Sequence, residues 1–390
     1  MDLRGAFDLV DRKILMRILE RQLKAPKIVE IFRQYYQDTR AKMQAGDTYF
    51  DIKSGVRQGC EESPLLFCLF FDFVLSIIER RIKERFPNAG MSLKFNIRSE
   101  SIPRELRRTG ISSGVTNLLK MLYADDLIIL DDSLEHLQQY MSIIVEVFNE
   151  YGLIIAAEKT KLLCWGDDKE HTFEIDGDII EQVSRFKYLG HTIDTHDQDF
   201  FLKAQIGSAY GAFNKHKSTL QDHRIQLRAR IILLCALVRT RLTYSVQSWH
   251  LNENQTQRLS VVWNRMVRKM VRGGFARRTN PSGDLDFALR ISNKKLFEIA
   301  GVPSLPDYIK RQQLQFAGHV SRMRNDSWQK ICMFIKSEIG GGKSDTRRHC
   351  DDMGGISESQ LLKLMQSRKE FRQELETRFG HRAKSSAKKS

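Results

Sequence analysis

The sequence predicts an α+β fold for its first half and a helical second half. Over roughly the first 200 residues, short apolar runs alternate with helix-spaced apolar patterns, and beyond them helical spacing dominates. The hydrophobic share of 41% and the charged share of 28% are those of a globular protein, and 390 residues suggest two or three domains. These observations exclude a fibrous or wholly disordered chain.

Two helices are predicted in the first half. Apolar residues are nearly continuous over 65–82 and follow Ser63-Pro64, a pair that suits the first turn of a helix. The second predicted helix covers 137–151, where apolar residues again have helical spacing. Asp132 and Glu135 are expected to form its capping pair.

Strand signals lie between and after these helices. Apolar runs on both sides of Asp125-Asp126 predict a buried β-hairpin over 121–130. Further strands are expected over 162–165 and 186–193. The segment 85–115 is polar, basic and rich in Gly and Ser, so we expect an insertion or an extended hairpin rather than core.

The net charge of +15 indicates a polyanionic partner, either nucleic acid or an anionic membrane surface. Most of this charge lies in residues 201–280, which contain 15 Lys and Arg but only two acidic residues. A helix over 258–272 would place apolar residues on one face and basic residues on the opposite face: Arg258, Arg265, Arg268, Lys269 and Arg272. Such a stripe is often only a solvated face, but no acid interrupts this one, which favours a surface that follows phosphates.

An intracellular location, in the nucleus or the cytoplasm, is expected. The longest apolar stretch, 64–78, contains Asp72 and is shorter than the roughly 18 to 20 residues of a membrane span. The first residues lack the basic-then-apolar order of a secretory signal. The six cysteines lie far apart without zinc-like spacing and are expected to be reduced, buried thiols.

The acidic pair Asp125-Asp126 is the strongest chemical signal. A lone Asp-Asp pair is usually a surface turn, but at the edge of a buried sheet its charge is costly unless a cation neutralises it. Oxygen ligands of this kind suit Mg²⁺ or Mn²⁺ better than zinc. Two-metal nucleotidyl transfer needs such a site with a third carboxylate from another element, and Asp2, 123 residues upstream of Asp125, is the candidate.

Five short motifs in order resemble the palm motifs of reverse transcriptases, with the best match among non-long-terminal-repeat (LINE-type) retrotransposon enzymes. They cover about the first 195 residues. The motifs are Asp2-x-x-x-Ala6-Phe7-Asp8, Arg57-Gln58-Gly59-Cys60 with Ser63-Pro64, Tyr123-Ala124-Asp125-Asp126, Gly152-Leu153 with Lys159-Thr160-Lys161, and Phe186-Lys187-Tyr188-Leu189-Gly190. The resemblance implies RNA-directed DNA synthesis on an RNA template and a DNA primer, with deoxynucleoside triphosphates and Mg²⁺ or Mn²⁺.

The resemblance also implies roles for single residues. Asp2, Asp125 and Asp126 would bind the metals, and Lys159, with Lys161 as its rival, would protonate or neutralise pyrophosphate. The remaining positions would contact the nucleotide or the primer end: Phe7 as a gate against ribonucleotides, Gln58, Gly59 and Tyr123. Phe7 could instead be an ordinary core aromatic.

The implied domains are a palm over 1–198, a basic helical thumb over 199–282, a helical region of unclear role over 283–382 and a basic disordered tail over 383–390. The chain begins one residue before Asp2, so we expect the fingers motifs to be missing and any endonuclease activity to come from another domain or protein. No membrane partner is expected.

Two other functions remain open at this stage. Glu61-Glu62 brings negative charge towards a site that must accept a triphosphate, which favours a truncated relic that binds nucleic acid without catalysis. A polymerase of the group II intron or RNA-synthesising type is the second alternative, and Phe7 argues against RNA synthesis.

Overall fold

The structure is a computed structural model. It describes residues 1–42, 49–95, 114–166, 169–197, 199–271, 275–279, 285–324, 327–334 and 345–379. The chain divides into two compact units: an N-terminal unit of Met1–Lys94 and Val115–Phe186, and a C-terminal unit formed by the rest. Helices and small antiparallel sheets are mixed, which is compatible with the predicted α+β class.

The N-terminal unit packs its helices around one apolar core. The helix predicted at 65–82 is confirmed and extends over Ser63–Arg85, with Pro64 in its first turn. Its residues Phe67, Phe70 and Phe71 are fully buried in this core. The four helices are α1 (Arg12–Leu23), α2 (Pro26–Tyr36), α3 (Ser63–Arg85) and α4 (Leu134–Glu150).

The strands of this unit form small sheets of two strands each. In the segment 85–115, where an insertion or an extended hairpin was expected, Met91–Phe95 (β3) pairs with Gly114–Leu118 (β4), in agreement with the hairpin. Residues 96–113 lie outside the described ranges. The strands are β1 (Arg40–Lys42), β2 (Tyr49–Asp51), β3 (Met91–Phe95), β4 (Gly114–Leu118), β5 (Lys120–Tyr123), β6 (Asp126–Ile129), β7 (Glu174–Ile175) and β8 (Asp178–Ile179).

Two local predictions in this unit were wrong. The N-cap of α4 is Ser133 rather than Asp132, because the Ser133 side chain accepts a bond from the backbone N–H of His136 (3.3 Å). Asp132 instead accepts a bond from the backbone N–H of Ser92 (3.2 Å). The strand predicted over 162–165 is reduced to one isolated bridge between Leu162 and Gln182, because this segment has no longer partner strand.

The strand predicted over 186–193 is a hairpin. β9 (Arg185–Tyr188) and β10 (His191–Asp194) pair with each other, and the two residues between them have positive φ angles, 48° at Leu189 and 78° at Gly190. Glycine adopts this conformation without steric cost, so Leu189-Gly190 forms a tight turn that an alternating apolar pattern conceals.

The C-terminal unit is mainly helical and has two apolar cores. The buried residues of the first come from the range 202–309, and those of the second come from the range 314–375. Its helices are α5 (Phe200–Lys215), α6 (Lys217–Leu220), α7 (Leu227–Leu234), α8 (Thr240–Leu242), α9 (Glu253–Met270), α10 (Asn293–Ala300), α11 (Leu305–Ser321), α12 (Trp328–Phe334), α13 (Asp345–Asp352), α14 (Glu358–Gln366) and α15 (Arg368–Phe379). A π-helical turn, Cys235–Arg239, joins α7 to α8, and Val246–Ser248 is a 3₁₀ turn.

The expectation that this half would be almost wholly helical was wrong at one place. β11 (Phe275–Thr279) pairs antiparallel with β12 (Leu285–Arg290), with an irregularity between Ala276 and Arg278. This hairpin spans the boundary expected between residues 282 and 283. The tail over 383–390 lies outside the described residues.

Two findings bear on the expected environment of the chain. Within the described ranges, no helix is both long and apolar enough to cross a membrane. All six cysteines lie in the described ranges as thiols outside any disulfide, but only Cys350 is buried, and Cys68 and Cys332 are exposed. The expectation of buried thiols was therefore wrong for most of them.

Candidate active site and nucleic-acid interface

Backbone pairing brings Asp2 beside Asp126. The amino nitrogen of Met1 donates to the carbonyl of Leu127 (2.9 Å), and the N–H of Leu127 donates to the carbonyl of Met1 (3.3 Å). Two residues that exchange both bonds form an antiparallel pair, so the next residue on one strand faces the preceding residue on the other. Asp2 therefore lies opposite Asp126.

A second pairing fixes the other side of Asp2. Leu3 forms an antiparallel bridge with Ile155, and the N–H of Ala156 donates to the carbonyl of Asp2 (3.0 Å). Backbone bonds thus hold the segment that carries Asp2 between β6 and residues 154–156. This arrangement explains how two acidic motifs so far apart in sequence become neighbours.

The hairpin that carries the acidic pair differs in two details from the prediction. Tyr123 pairs with Asp126, so the turn residues are Ala124, with φ of 54°, and Asp125, while Asp126 begins β6. The hairpin is also not buried as a whole: Leu127 is buried, but the consecutive residues Met121, Leu122 and Tyr123 are all exposed. Since successive side chains of a strand point to opposite faces, both faces of β5 are open here.

The carboxylates repel each other electrostatically. Partial burial, followed by the charges of Asp125 and Asp2, raises the pKa of Asp126 above its ordinary value, with only the amino group of Met1 acting in the opposite direction. The charges of Asp125 and Asp2 thus disfavour ionisation of Asp126, and the three carboxylates form a site of concentrated negative charge. A bound cation would relieve this repulsion.

Asp2 already has one cationic neighbour. The Nζ of Lys159 lies 3.5 Å from its Oδ2, while its Oδ1 accepts a bond from the N–H of Leu3 (2.9 Å). Lys161 is directed elsewhere, with its Nζ 2.6 Å from the carboxylate of Glu181. Of the two lysines considered from the sequence, Lys159 is therefore the one beside the acidic site.

The donor chemistry of this site fits a hard divalent cation, since three carboxylates come from two neighbouring strand segments. Among the residues that the structure describes, however, no group of three or more His, Cys, Asp or Glu side chains is arranged to hold a metal ion. The ligand set of Asp2, Asp125 and Asp126 is thus close in space but is not gathered around one point.

Three of the expected nucleotide-side residues, Phe7, Gln58 and Gly59, lie on two segments that touch, and the fourth, Tyr123, ends β5. Phe7 stacks on Phe67 with ring centroids 4.8 Å apart and remains partly exposed. The Nε2 of Gln58 donates to both carboxylate oxygens of Asp8 (3.0 and 3.2 Å). Gly59 is exposed with φ of 84°, and Tyr123 is 64% exposed.

The contact between the segment of Phe7 and the segment of Gln58 depends on Gly55 and Arg12, which were not predicted from the sequence. A Cβ at Gly55 would lie 2.8 Å from the Cα of Asp8 and 2.9 Å from the carbonyl oxygen of Phe7, and the φ of Gly55 is 82°. Only glycine allows this approach. The side chain of Arg12 stabilises the segment after β2, since it donates hydrogen bonds to the carbonyls of Gly55 (2.8 Å) and Ile52 (2.7 Å). Gly55 stands three residues before Gln58 and gave a weak signal, whereas nothing in the sequence singled out Arg12.

Residues 1–193 match the family model described as "Reverse transcriptase (RNA-dependent DNA polymerase)". This region is therefore similar to reverse transcriptases. An uncharacterised transposon-derived protein of Caenorhabditis elegans is 24% identical over 223 residues, which are 55% of this chain and 76% of the relative. A retrovirus-related Pol polyprotein from a type-1 retrotransposable element R2 of Nasonia vitripennis is 25% identical over 205 residues, which are 49% of this chain and 17% of the relative.

These findings confirm the resemblance to retrotransposon reverse transcriptases and, with it, to RNA-directed DNA polymerases. The matched region includes every residue expected at the carboxylate and nucleotide sites. The chain spans only a small part of the length of the R2 relative.

The predicted basic helix beyond the matched region is α9, and its apolar face is buried as expected, from Leu259 to Met270. The basic face is less free than the sequence suggests. Arg258 forms an ion pair with Asp199 (2.5 Å), and Arg268 donates to the carbonyl of Ile291 (2.9 Å). These two side chains therefore have structural partners.

The other basic residues of α9 differ in their surroundings. The Nζ of Lys269 lies 5.4 Å from the ring centroid of Phe213, and its side chain is exposed. Arg265 is exposed and has no ion pair or hydrogen bond among the described residues. Arg272 lies outside the described residues.

A cavity of about 510 Å³ opens on this face of α9. We name it the basic groove; Arg265, Arg268 and Lys269 line it together with the polar residues Asn264, Gln257 and Asn293. No Asp or Glu is among its described lining residues. Its chemistry suits a phosphate backbone, which accepts bonds from arginine, lysine and amide side chains.

Proposed function

We propose that the N-terminal unit catalyses RNA-templated DNA synthesis, in which a primer 3′ hydroxyl attacks the α-phosphate of a deoxynucleoside triphosphate. The observation that carries the proposal is the pairing of Met1 with Leu127, which makes Asp2 and Asp126 neighbours. The raised pKa of Asp126 supports it, because active sites are where like charges are kept together. The relatives in mobile elements support a role within a retrotransposon.

Asp2, Asp125 and Asp126 would hold Mg²⁺ or Mn²⁺. When bound, such ions would activate the 3′ hydroxyl and stabilise the leaving pyrophosphate. Lys159 lies on the same side as Asp2, where its ammonium group can donate a proton or a hydrogen bond to the departing phosphate. Its present contact with Asp2 places the ammonium group beside the acidic site.

The nucleotide would be held by the two segments that Gly55 brings together. Phe7, stacked on Phe67, presents a flat apolar surface that would exclude a ribose 2′ oxygen, and Gln58, oriented by Asp8, would bind the incoming nucleotide near Gly59. Tyr123 is exposed at the end of β5, where it would contact the primer end.

We assign residues 1–198 to a palm and 199–282 to a thumb that binds primer–template duplex. The free cation Arg265 and the basic groove support the second assignment. The helical region 283–382 has no role in this proposal, and endonuclease activity would have to come from another domain or protein.

The test is primer extension on an RNA template with deoxynucleotides and Mg²⁺. Asp125→Asn should reduce extension by about 100-fold or more, since metal ligands support several kcal/mol of transition-state stabilisation. Asp72→Asn is the matched control, because Asp72 is exposed on α3 and is not among the charges that shift the pKa of Asp126. Primer–template binding without any extension by the unaltered chain would favour the noncatalytic alternative, and extension that is indifferent to Asp125 would overturn the site assignment.

A further inference from the structure

A groove of about 1010 Å³ lies between α7, α10 and the start of α11, apart from the basic groove. Its walls are mainly aliphatic, and we name it the aliphatic groove after the residues that form them: Leu227, Ile231, Ile232, Ile299, Val302 and Pro303. Ile232 is 60% exposed and Ile299 is 43% exposed. Large apolar side chains left open next to one another on a concave surface are typical of an interaction site.

The helix that forms one wall is irregular at this place. The π-helical turn Cys235–Arg239 follows α7, with the N–H of Thr240 bonded to the carbonyl of Cys235. Such turns occur as single bulges in α-helices, frequently at functional sites. Here the turn ends at Arg239, whose side chain lines the aliphatic groove.

Positive charge surrounds the apolar walls. Arg228, Arg239 and Arg311 line the aliphatic groove, and no Asp or Glu is among its described lining residues. The guanidinium of Arg239 lies 4.1 Å from the ring centroid of Tyr308, but its buried Nε has no hydrogen-bond partner among the described residues. The charge of Arg239 thus faces an aromatic ring, and no carboxylate in the described part of the chain forms an ion pair with it.

The other two arginines are differently engaged. Arg228 is exposed and forms no ion pair within the described part of the chain. Arg311 is 3.7 Å from the carboxylate of Glu376, and its buried Nε has no hydrogen-bond partner in the described ranges. The positive charge of the groove is thus largely not compensated from within.

We propose that the aliphatic groove binds an acidic amphipathic helix of a partner protein. Its apolar side chains would pack against Ile232 and Ile299, and its carboxylates would pair with Arg228 and Arg239. Helix-in-groove recognition uses this division between apolar anchors at helical spacing and flanking charges.

Charge and shape favour this occupant over the others. A second copy of the chain carries the same net charge of +15, and the segment 383–390 is basic, so neither is complementary. Single-stranded nucleic acid binds through aromatic platforms, but Tyr308, the one aromatic side chain among the described residues that line this groove, has Arg239 over its ring. Aliphatic walls instead suit leucine-like side chains.

The test uses the full chain and a fluorescein-labelled synthetic peptide. The peptide is an amphipathic helix of about 15 residues, four turns, with leucine at i, i+3, i+4 and i+7 and glutamate at most other positions. Fluorescence anisotropy should show binding, and Arg228→Glu with Ile232→Asp should weaken it by at least about tenfold. Both side chains are exposed, so the melting temperature should not change.

Lys217→Glu is the matched control, since Lys217 is exposed on α6 and does not line the groove. It should leave the affinity for the peptide unchanged, and a peptide with lysine in place of glutamate should not bind. The proposal is overturned if the acidic peptide does not bind, or if its affinity is the same for the doubly altered chain. It is also overturned if the alterations weaken only binding of a single-stranded RNA, which would make the groove a nucleic-acid site.

Discussion

The two charged regions of the molecule are built in different ways. In the N-terminal unit, backbone bonds between Met1 and Leu127 make neighbours of acids that lie far apart in sequence. On α9, helical spacing alone places the basic residues on one face, and side chains distant in sequence then pair with some of them, as Asp199 does with Arg258. The acids are therefore held together by the backbone, whereas the basic residues of α9 share a face but differ in their side-chain partners.

Among the comparisons within each region, the largest expected difference is in the rate of primer extension after substitution of two lysines in the N-terminal unit. Lys159→Ala should lower the rate of primer extension by about 10- to 100-fold, because a positioned proton donor contributes at least this much. Lys161→Ala should change the rate little, since Lys161 is paired with Glu181. Single-turnover extension measures both, and equal losses would remove the special role of Lys159.

The motifs of the N-terminal unit could be predicted from the sequence because each is local and their order is fixed. Their assembly could not: nothing local shows that Met1 pairs with Leu127 or that Arg12 binds the carbonyl of Gly55. The same limit applied to α9, whose buried face followed from its periodicity, whereas the partners of Arg258 and Arg268 come from other elements.

The next effect tests whether backbone contact builds the N-terminal site. Gly55→Ala should lower the free energy of unfolding by about 2 to 4 kcal/mol, because a positive φ and a contact with the backbone of Asp8 both oppose a Cβ. Gly59→Ala has a similar φ but open space around it, so the loss should be about 1 to 2 kcal/mol. Urea denaturation measures both, and equal losses would show that the contact with Asp8 is unimportant.

On α9, one free and one paired arginine should behave differently. Arg265→Ala should weaken primer–template binding severalfold and reduce the salt dependence of log affinity by about 0.9, the share of one phosphate. Arg258→Ala should change affinity less but lower stability by about 0.5 to 1 kcal/mol, since it leaves Asp199 without its ion pair. Filter binding across salt concentrations and thermal unfolding give the two readouts; identical behaviour would contradict the distinction.

The smallest effect concerns stability and pH at the acidic site. Folding raises the pKa of Asp126, so this carboxyl group costs no stability below its unfolded pKa. The cost grows as the pH rises from the unfolded to the folded pKa and is complete above the folded pKa. Asp126→Asn should therefore raise the melting temperature slightly at neutral pH in metal-free buffer, and the gain should vanish below pH of about 4. A variant that is no more stable at neutral pH would show that the repulsion is absent.

The most direct test of the central claim is Mn²⁺ binding followed by electron paramagnetic resonance. The unaltered chain should bind Mn²⁺, and Asp125→Asn should weaken binding by at least about tenfold, while Asp72→Asn should have no effect. Equal Mn²⁺ binding by all three chains would contradict the assignment of Asp2, Asp125 and Asp126 as the metal site.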